Sequence, residues 1–128
     1  MTPVVLAFFK VSCPTCQLAF PFLERLHALG ATGLQFVGVS QDDEGATAEF
    51  VKRLGVTFPV RLDLASAGYP ESNSYGLTHV PAIFVVEPDG SVSDSWTGFS
   101  KADFEKLALR AGTVVFRPED NVPACKAG

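Results

Sequence analysis

The sequence predicts an α/β fold, a mixed central β-sheet flanked by helices on both faces. Three observations predict it. First, Val4-Val5-Leu6-Ala7-Phe8-Phe9 and residues 34–40 are apolar runs of strand length on either side of an amphipathic helical stretch. That is a β-α-β unit, which implies a parallel pair with a right-handed crossover. Second, Ala82–Val86 and residues 91–97 flank Glu87-Pro88-Asp89-Gly90, a tight-turn sequence, so this part is a β-hairpin that adds antiparallel strands. Third, the chain has 128 residues, 47% hydrophobic and 19% charged, which suits one core and argues against disorder.

Taken in order, Val4–Phe9 reads as a strand buried on both faces. The helix over residues 17–29 carries Leu18, Phe22, Leu26 and Leu29 on one stripe, with Pro21 interrupting it and Gly30 and Gly33 ending it. After the strand at 34–40, the acidic run Gln41-Asp42-Asp43-Glu44 is expected to be a solvated loop whose acids cap the next helix. That helix spans residues 46–54, faces Phe50, Val51 and Leu54 inward, and stops at Gly55. Pro59 limits residues 56–64 to a short or edge strand. Residues 63–74 are polar and turn-rich, with a short helical turn. Beyond the hairpin, Ser100 and Asp103 resemble a capping box for the helix Lys101–Arg110, whose inward stripe is Phe104, Leu107 and either Ala108 or Leu109. Residues 113–116 add a short strand or packing segment. The organisation expected is one domain over residues 1–116 and a loose polar tail over residues 117–128.

The net charge of −4 gives no reason to propose a nucleic acid or an anionic membrane as partner. Three cysteines are too few for a disulfide scaffold, and no stretch approaches the roughly 18 apolar residues of a membrane span. The N-terminus has no basic segment, and Val4–Phe9 is too short for the apolar core of a signal peptide. A complete chain is therefore expected in the cytoplasm, and one preceded by a signal segment outside it.

The chemistry is concentrated in Cys13-Pro14-Thr15-Cys16, between the first strand and the first helix. Two cysteines one helical turn apart are placed for reversible disulfide chemistry. The partial positive charge and unpaired N–H groups of the helix start stabilise a thiolate at Cys13. Cys16 lies one turn further in and is placed to resolve a mixed disulfide formed at Cys13. Pro14 suits the first helical turn. The competing reading is a metal-binding or adapter module that gathers Cys13, Cys16, Cys125 and either His27 or His79, although a second C-x-x-C is absent.

A C-x-x-C at this point of a β-α-β unit resembles thioredoxin, over roughly residues 4–110. Pro21 stands eight residues after the first cysteine, where that family has a helix-kinking proline; Val80-Pro81 matches its cis-proline, and Gly98 its glycine before the last helix. The stretch Leu54-Gly55-Val56-Thr57-Phe58-Pro59-Val60, the later Tyr75-Gly76-Leu77 and the turn at 87–90 are especially similar to the TlpA/ResA-like and AhpC/TSA-like branches, whose insert accounts for residues 63–74. The resemblance implies a thioredoxin fold and a thiol–disulfide oxidoreductase that exchanges a Cys13–Cys16 dithiol with protein substrates and a redox partner. It implies no organic cofactor, and a monomer is expected. It also implies that Pro14, Thr15, Val80 and Pro81 contact substrate, with the Val80 backbone pairing with an extended peptide.

Ser12, His79 and Cys125 are candidate modulators. Ser12 replaces the family's tryptophan, and Ala7 replaces its buried proton-accepting acid. A peroxiredoxin-like peroxidase, with Cys13 oxidised to sulfenic acid, is the second enzymatic reading. Leu6 and Lys10 stand where that family has its proline and threonine.

Overall fold

The computed structural model describes residues 2–30 and 33–128. The elements are β1 (Val4–Phe9), α1 (Pro14–Ala28), β2 (Gln35–Ser40), α2 (Glu44–Leu54), β3 (Val60–Leu62), α3 (Pro70–Ser74), β4 (Ala82–Val86), β5 (Val92–Thr97), β6 (Phe99–Ser100), α4 (Lys101–Arg110) and β7 (Cys125–Lys126). Single 3-10 turns lie at Ala65–Ala67 and Pro118–Asp120.

Five strands form one sheet in the order β3-β2-β1-β4-β5. β1 pairs parallel with β2 and β2 with β3, while β1 with β4 and β4 with β5 are antiparallel, so the sheet is mixed as expected. β1 is central because every residue from Val5 to Phe9 is buried, and a strand with two apolar faces needs cover on both. Its alternation splits the core. Val5, Ala7 and Phe9 join the buried faces of α1, α2 and α4; Leu6 and Phe8 join Val39 and Ala82 under Tyr75 and Leu77. Helices therefore flank the sheet on both faces, but unequally: three stand on one, and α3 with the segment after it covers the other.

The larger face is an aromatic cluster. Phe20 of α1 lies 4.4 Å from Phe9, 5.4 Å from Phe50 and 5.9 Å from Phe58 between ring centroids. Sandwiched between the sheet and the elements outside it, α1 buries more than its predicted stripe: Ala19, Phe20 and Leu23 are buried with Phe22 and Leu26, whereas Leu29 is 48% exposed. In α4 the third inward residue is Ala108, and Leu109 faces solvent. Residues 113–116 form no strand; Val115 and Phe116 pack on the core.

Residues 63–74 are a built insert. Asp63 is 3% exposed and accepts the Glu71 amide at Oδ1 (3.0 Å), and at Oδ2 the Ser72 amide (2.7 Å) and Ser72 hydroxyl (2.5 Å). Burial pushes its pKa up, but the Ser72 hydroxyl, the two amides and the Arg61 charge outweigh that and hold it below the usual carboxylate value. A carboxylate held low stabilises the fold above its unfolded pKa of about 4, and that stability is lost as pH falls through the lower folded value. We expect Asp63→Asn to cost roughly 1–3 kcal/mol at pH 6. Calorimetric melts should show the variant losing less Tm than the wild type between pH 5 and pH 2.5. Parallel acid limbs would mean that Asp63 is not an acid-sensitive anchor.

Candidate functional site

The site stands where β1 ends and α1 begins. Cys13 is the N-cap of α1: its backbone is extended, and its sulfur accepts the Cys16 amide at 3.2 Å. A sulfur in this role takes up one of the backbone N–H groups that the first helical turn leaves without an intrahelical partner. The turn before it closes through the Cys13 amide on the Lys10 carbonyl (3.2 Å). It is also tied from outside. Asp42 Oδ2 accepts the Val11 amide at 2.7 Å, and Gln17 Nε2 donates to the Val11 carbonyl at 2.9 Å.

The two thiols differ in exposure. Cys13 is half-buried and Cys16 has no exposed surface. Burial pushes the Cys16 thiol far up, and the Cys13 side-chain hydrogen bond adds to this. The Lys10 backbone works against them, and the charges of Cys13 and Asp42 raise it further. Cys16 therefore holds its proton in the reduced protein, and the outer thiol is the one that can react first. All three cysteines are free, and among the described residues no group of three or more His, Cys, Asp or Glu side chains is arranged to hold a metal ion.

The Val80–Pro81 loop completes the site from the far side of the chain. The peptide bond is cis, Pro81 is buried, and Cys13 Sγ lies 3.6 Å from the Val80 carbonyl oxygen. A cleft of about 480 Å³ runs outward from Cys13 and Pro14 past Lys10, His79 and Val80 to Tyr69 of the insert.

Of the expected site residues, the structure brings together Cys13, Pro14, Thr15, Cys16, Val80 and Pro81. Thr15 is buried, and its hydroxyl donates to the Ala127 carbonyl at 2.7 Å. His79 is exposed, with Nδ1 2.9 Å from Thr78 Oγ1, and it reaches the cleft rim. Ser12 is exposed. His27 packs its ring edge-on to Phe36 and Phe58, away from the thiols, as a structural side chain.

Two features were not anticipated. Asp43 caps α2 as the acidic loop predicts (2.8 Å to the Ala46 amide), but Asp42 turns inward to the cysteine turn. Only the spacing from the end of β2 could have hinted at this. The chain after residue 116 also differs from a loose tail. Its β7 pairs antiparallel with β6, setting Lys126 opposite Phe99 and Cys125 opposite Ser100. Beyond it Ala127 lies against Thr15 and Gly128 against Val80.

Comparison with known proteins agrees with this geometry. A family model described as Redoxin matches residues 2–109. The chain is 27% identical over 97 residues to a protein named thiol-disulfide oxidoreductase ResA from Halalkalibacterium halodurans, covering 74% of this chain and 53% of that one. Against the protein of the same name from Bacillus subtilis the identity is 29% over 97 residues, with 74% and 52% covered. The chain thus spans about half the length of the curated relatives it matches. Among solved structures, a putative thiol:disulfide interchange protein DsbE from Chlorobium tepidum superposes with a TM-score of 0.74 at 29% identity, covering 85% of this chain and 77% of that one. MTB dsbF, solved in mixed oxidised and reduced forms, gives 0.71 at 32%, covering 87% and 79%. No helix of the described residues is long and apolar enough to cross a membrane.

Proposed function

This chain belongs to the Redoxin family and has the thioredoxin fold, and from that premise we propose that it is a thiol–disulfide oxidoreductase acting on proteins through Cys13 and Cys16. The observation that carries the reading is the asymmetry of the two thiols. One caps a helix at the floor of an open cleft, and the other is sealed one turn behind it.

In the reducing direction the Cys13 thiolate attacks one sulfur of a substrate disulfide. The substrate S–S bond breaks, a Cys13–substrate disulfide forms, and one substrate thiolate leaves and takes up a proton. Cys16 then gives up its proton and attacks the Cys13 sulfur. The mixed disulfide breaks, the second substrate thiol is released, and Cys13–Cys16 is left oxidised. Two electrons and two protons pass to the substrate, and a redox partner restores the dithiol. Run backwards, the same steps oxidise a substrate dithiol. No organic group is needed for either direction.

Ala7 offers no proton acceptor at the position where thioredoxins carry a buried acid. Asp42, whose charge is felt at Cys16, is the carboxylate nearest in effect.

The test is a redox titration of the reduced protein in glutathione or dithiothreitol buffers, with Cys125→Ser alongside. The expected result is one reversible two-electron couple between about −270 and −120 mV, unchanged in the variant. Absence of a couple, or thiols that titrate only after chelation, would replace this reading with a metal site.

A further inference from the structure

The end of the described chain lies against Thr15 and Val80, on either side of Cys13. Its root is fixed: Arg25 holds Asp120 with two hydrogen bonds (2.8 and 3.2 Å) and also donates to the Val115 carbonyl at 2.8 Å. From there residues 124–128 run across the mouth of the site through main-chain contacts. The Lys101 amide donates to the Ala124 carbonyl (2.9 Å), β7 pairs with β6, and the Thr15 hydroxyl donates to the Ala127 carbonyl (2.7 Å). Gly128 closes on the Val80 carbonyl so tightly that a Cβ there would overlap the oxygen. At Gly98, whose φ is +74°, a Cβ would overlap the Lys126 carbonyl oxygen. Two glycines thus let two stretches of backbone meet face to face.

The segment is held by little else. Residues 123–128 are all exposed, so almost no apolar surface anchors them, and a few backbone hydrogen bonds in water are individually weak. Yet they cover Thr15 and the Val80 carbonyl, the edge on which an extended polypeptide would add its own backbone. Cys13 itself stays open to the cleft.

We propose that residues 124–128 are a displaceable strap. They occupy the groove of an extended polypeptide substrate, which must lift them to reach Cys13, while small disulfides pass by. The strap rests on the exchange function proposed above, and the following experiment separates the two.

Deletion of residues 124–128 and Gly128→Val are each compared with the wild type on two oxidants, a protein disulfide (insulin) and a small aromatic disulfide (5,5′-dithiobis(2-nitrobenzoate)). Cys125→Ser serves as the control for loss of the third thiol. We expect the deletion to raise kcat/KM for insulin about fivefold or more, Gly128→Val to give a smaller rise, and both to stay within about twofold on the small disulfide. A synthetic peptide of residues 121–128, with serine at 125, should slow the deletion variant on insulin and leave its small-disulfide rate alone. Unchanged insulin rates beside an intact small-disulfide rate would overturn the strap and leave the exchange function standing. A fall in both rates on deletion would make the segment a structural support, which also overturns it. No exchange with either oxidant in any form would overturn the exchange function and the strap together.

Discussion

Cys13→Ser will abolish thiol–disulfide exchange, whereas Cys16→Ser will leave a protein that captures its substrates and cannot release them. The difference follows from the burial of one thiol and the exposure of the other. Cys13 alone reaches the cleft, and it alone sits on the helix start as the N-cap. A serine hydroxyl is not a nucleophile for sulfur at neutral pH, so the rate should fall roughly a thousandfold or more, about 4 kcal/mol in the barrier. Cys16 has no exposed surface and a pKa pushed far up by burial, so it cannot take over the first attack. Its replacement instead stops the reaction after the first half, and the substrate stays bonded to Cys13. Non-reducing mass spectrometry after mixing with a protein disulfide should show this adduct for Cys16→Ser and nothing for Cys13→Ser. An adduct in the Cys13→Ser protein would reverse the two roles. The same burial sets the sign of a pH effect. Resolution requires Cys16 to lose its proton, so decay of the mixed disulfide in the wild type should accelerate as pH rises.

The largest effect on stability is expected at Phe20. Its ring has no exposed surface and stands at the centre of Phe9, Phe50 and Phe58. Phe20→Ala removes a buried ring and leaves a cavity that α1 cannot close, because the helix is held on its other side by Phe22 against Phe99, Phe104 and Phe116. Losses of about 3–5 kcal/mol follow for such a change, some of it from the aromatic contacts themselves. For a chain of this length that is a fall in Tm of roughly 10–20 °C. Urea unfolding gives the number directly. A cost under about 1.5 kcal/mol would mean that the cluster collapses around the gap. Phe20 also seats the helix that carries Cys13 and Cys16 at its other end, so the surviving folded protein should exchange disulfides more slowly.

Much of this architecture is legible from side-chain chemistry. The apolar runs at β1, β2 and β4 are strands because unbroken β-branched and aromatic residues need cover on both faces. The hairpin turn and the Ser100 cap are local and read locally. Ser100 does accept the Asp103 amide, at 3.2 Å. Cys13 and Cys16 are legible for the same reason, a motif set between a strand and a helix. Val80 and Pro81 are not: nothing local marks them, and they entered through resemblance to thioredoxins. What stayed hidden is carried by backbone. Residues 117–128 contain two prolines and mostly polar or small side chains, which reads as loose chain. Their root is an ion pair between Asp120 and a residue 95 positions earlier, Arg25, and beyond it the attachment runs through carbonyls and amides of residues 124–127, which no hydrophobic pattern encodes. Asp42 is hidden by distance, since its partner is a main-chain amide 31 residues earlier. The buried face of α1 is wider than a single apolar stripe because the helix is covered from two sides, by Phe9 and Phe50 at Phe20 and by Phe116 at Phe22.

The central position of β1 has a consequence for how the protein comes into being. Its partner β4 lies far down the chain, with Val4 paired to Val86, and Cys13 meets Val80 across 67 residues. Closing such separations is slow, and its entropy must be met before any contact rewards it. On the ribosome the two thiols therefore emerge early and are enclosed late. Until the Val80–Pro81 loop and β4 arrive, Cys13 has no carbonyl wall beside it, and a growing chain offers its dithiol unscreened to whatever oxidant surrounds it. The far wall of the site is therefore added to a helix start that is already in place.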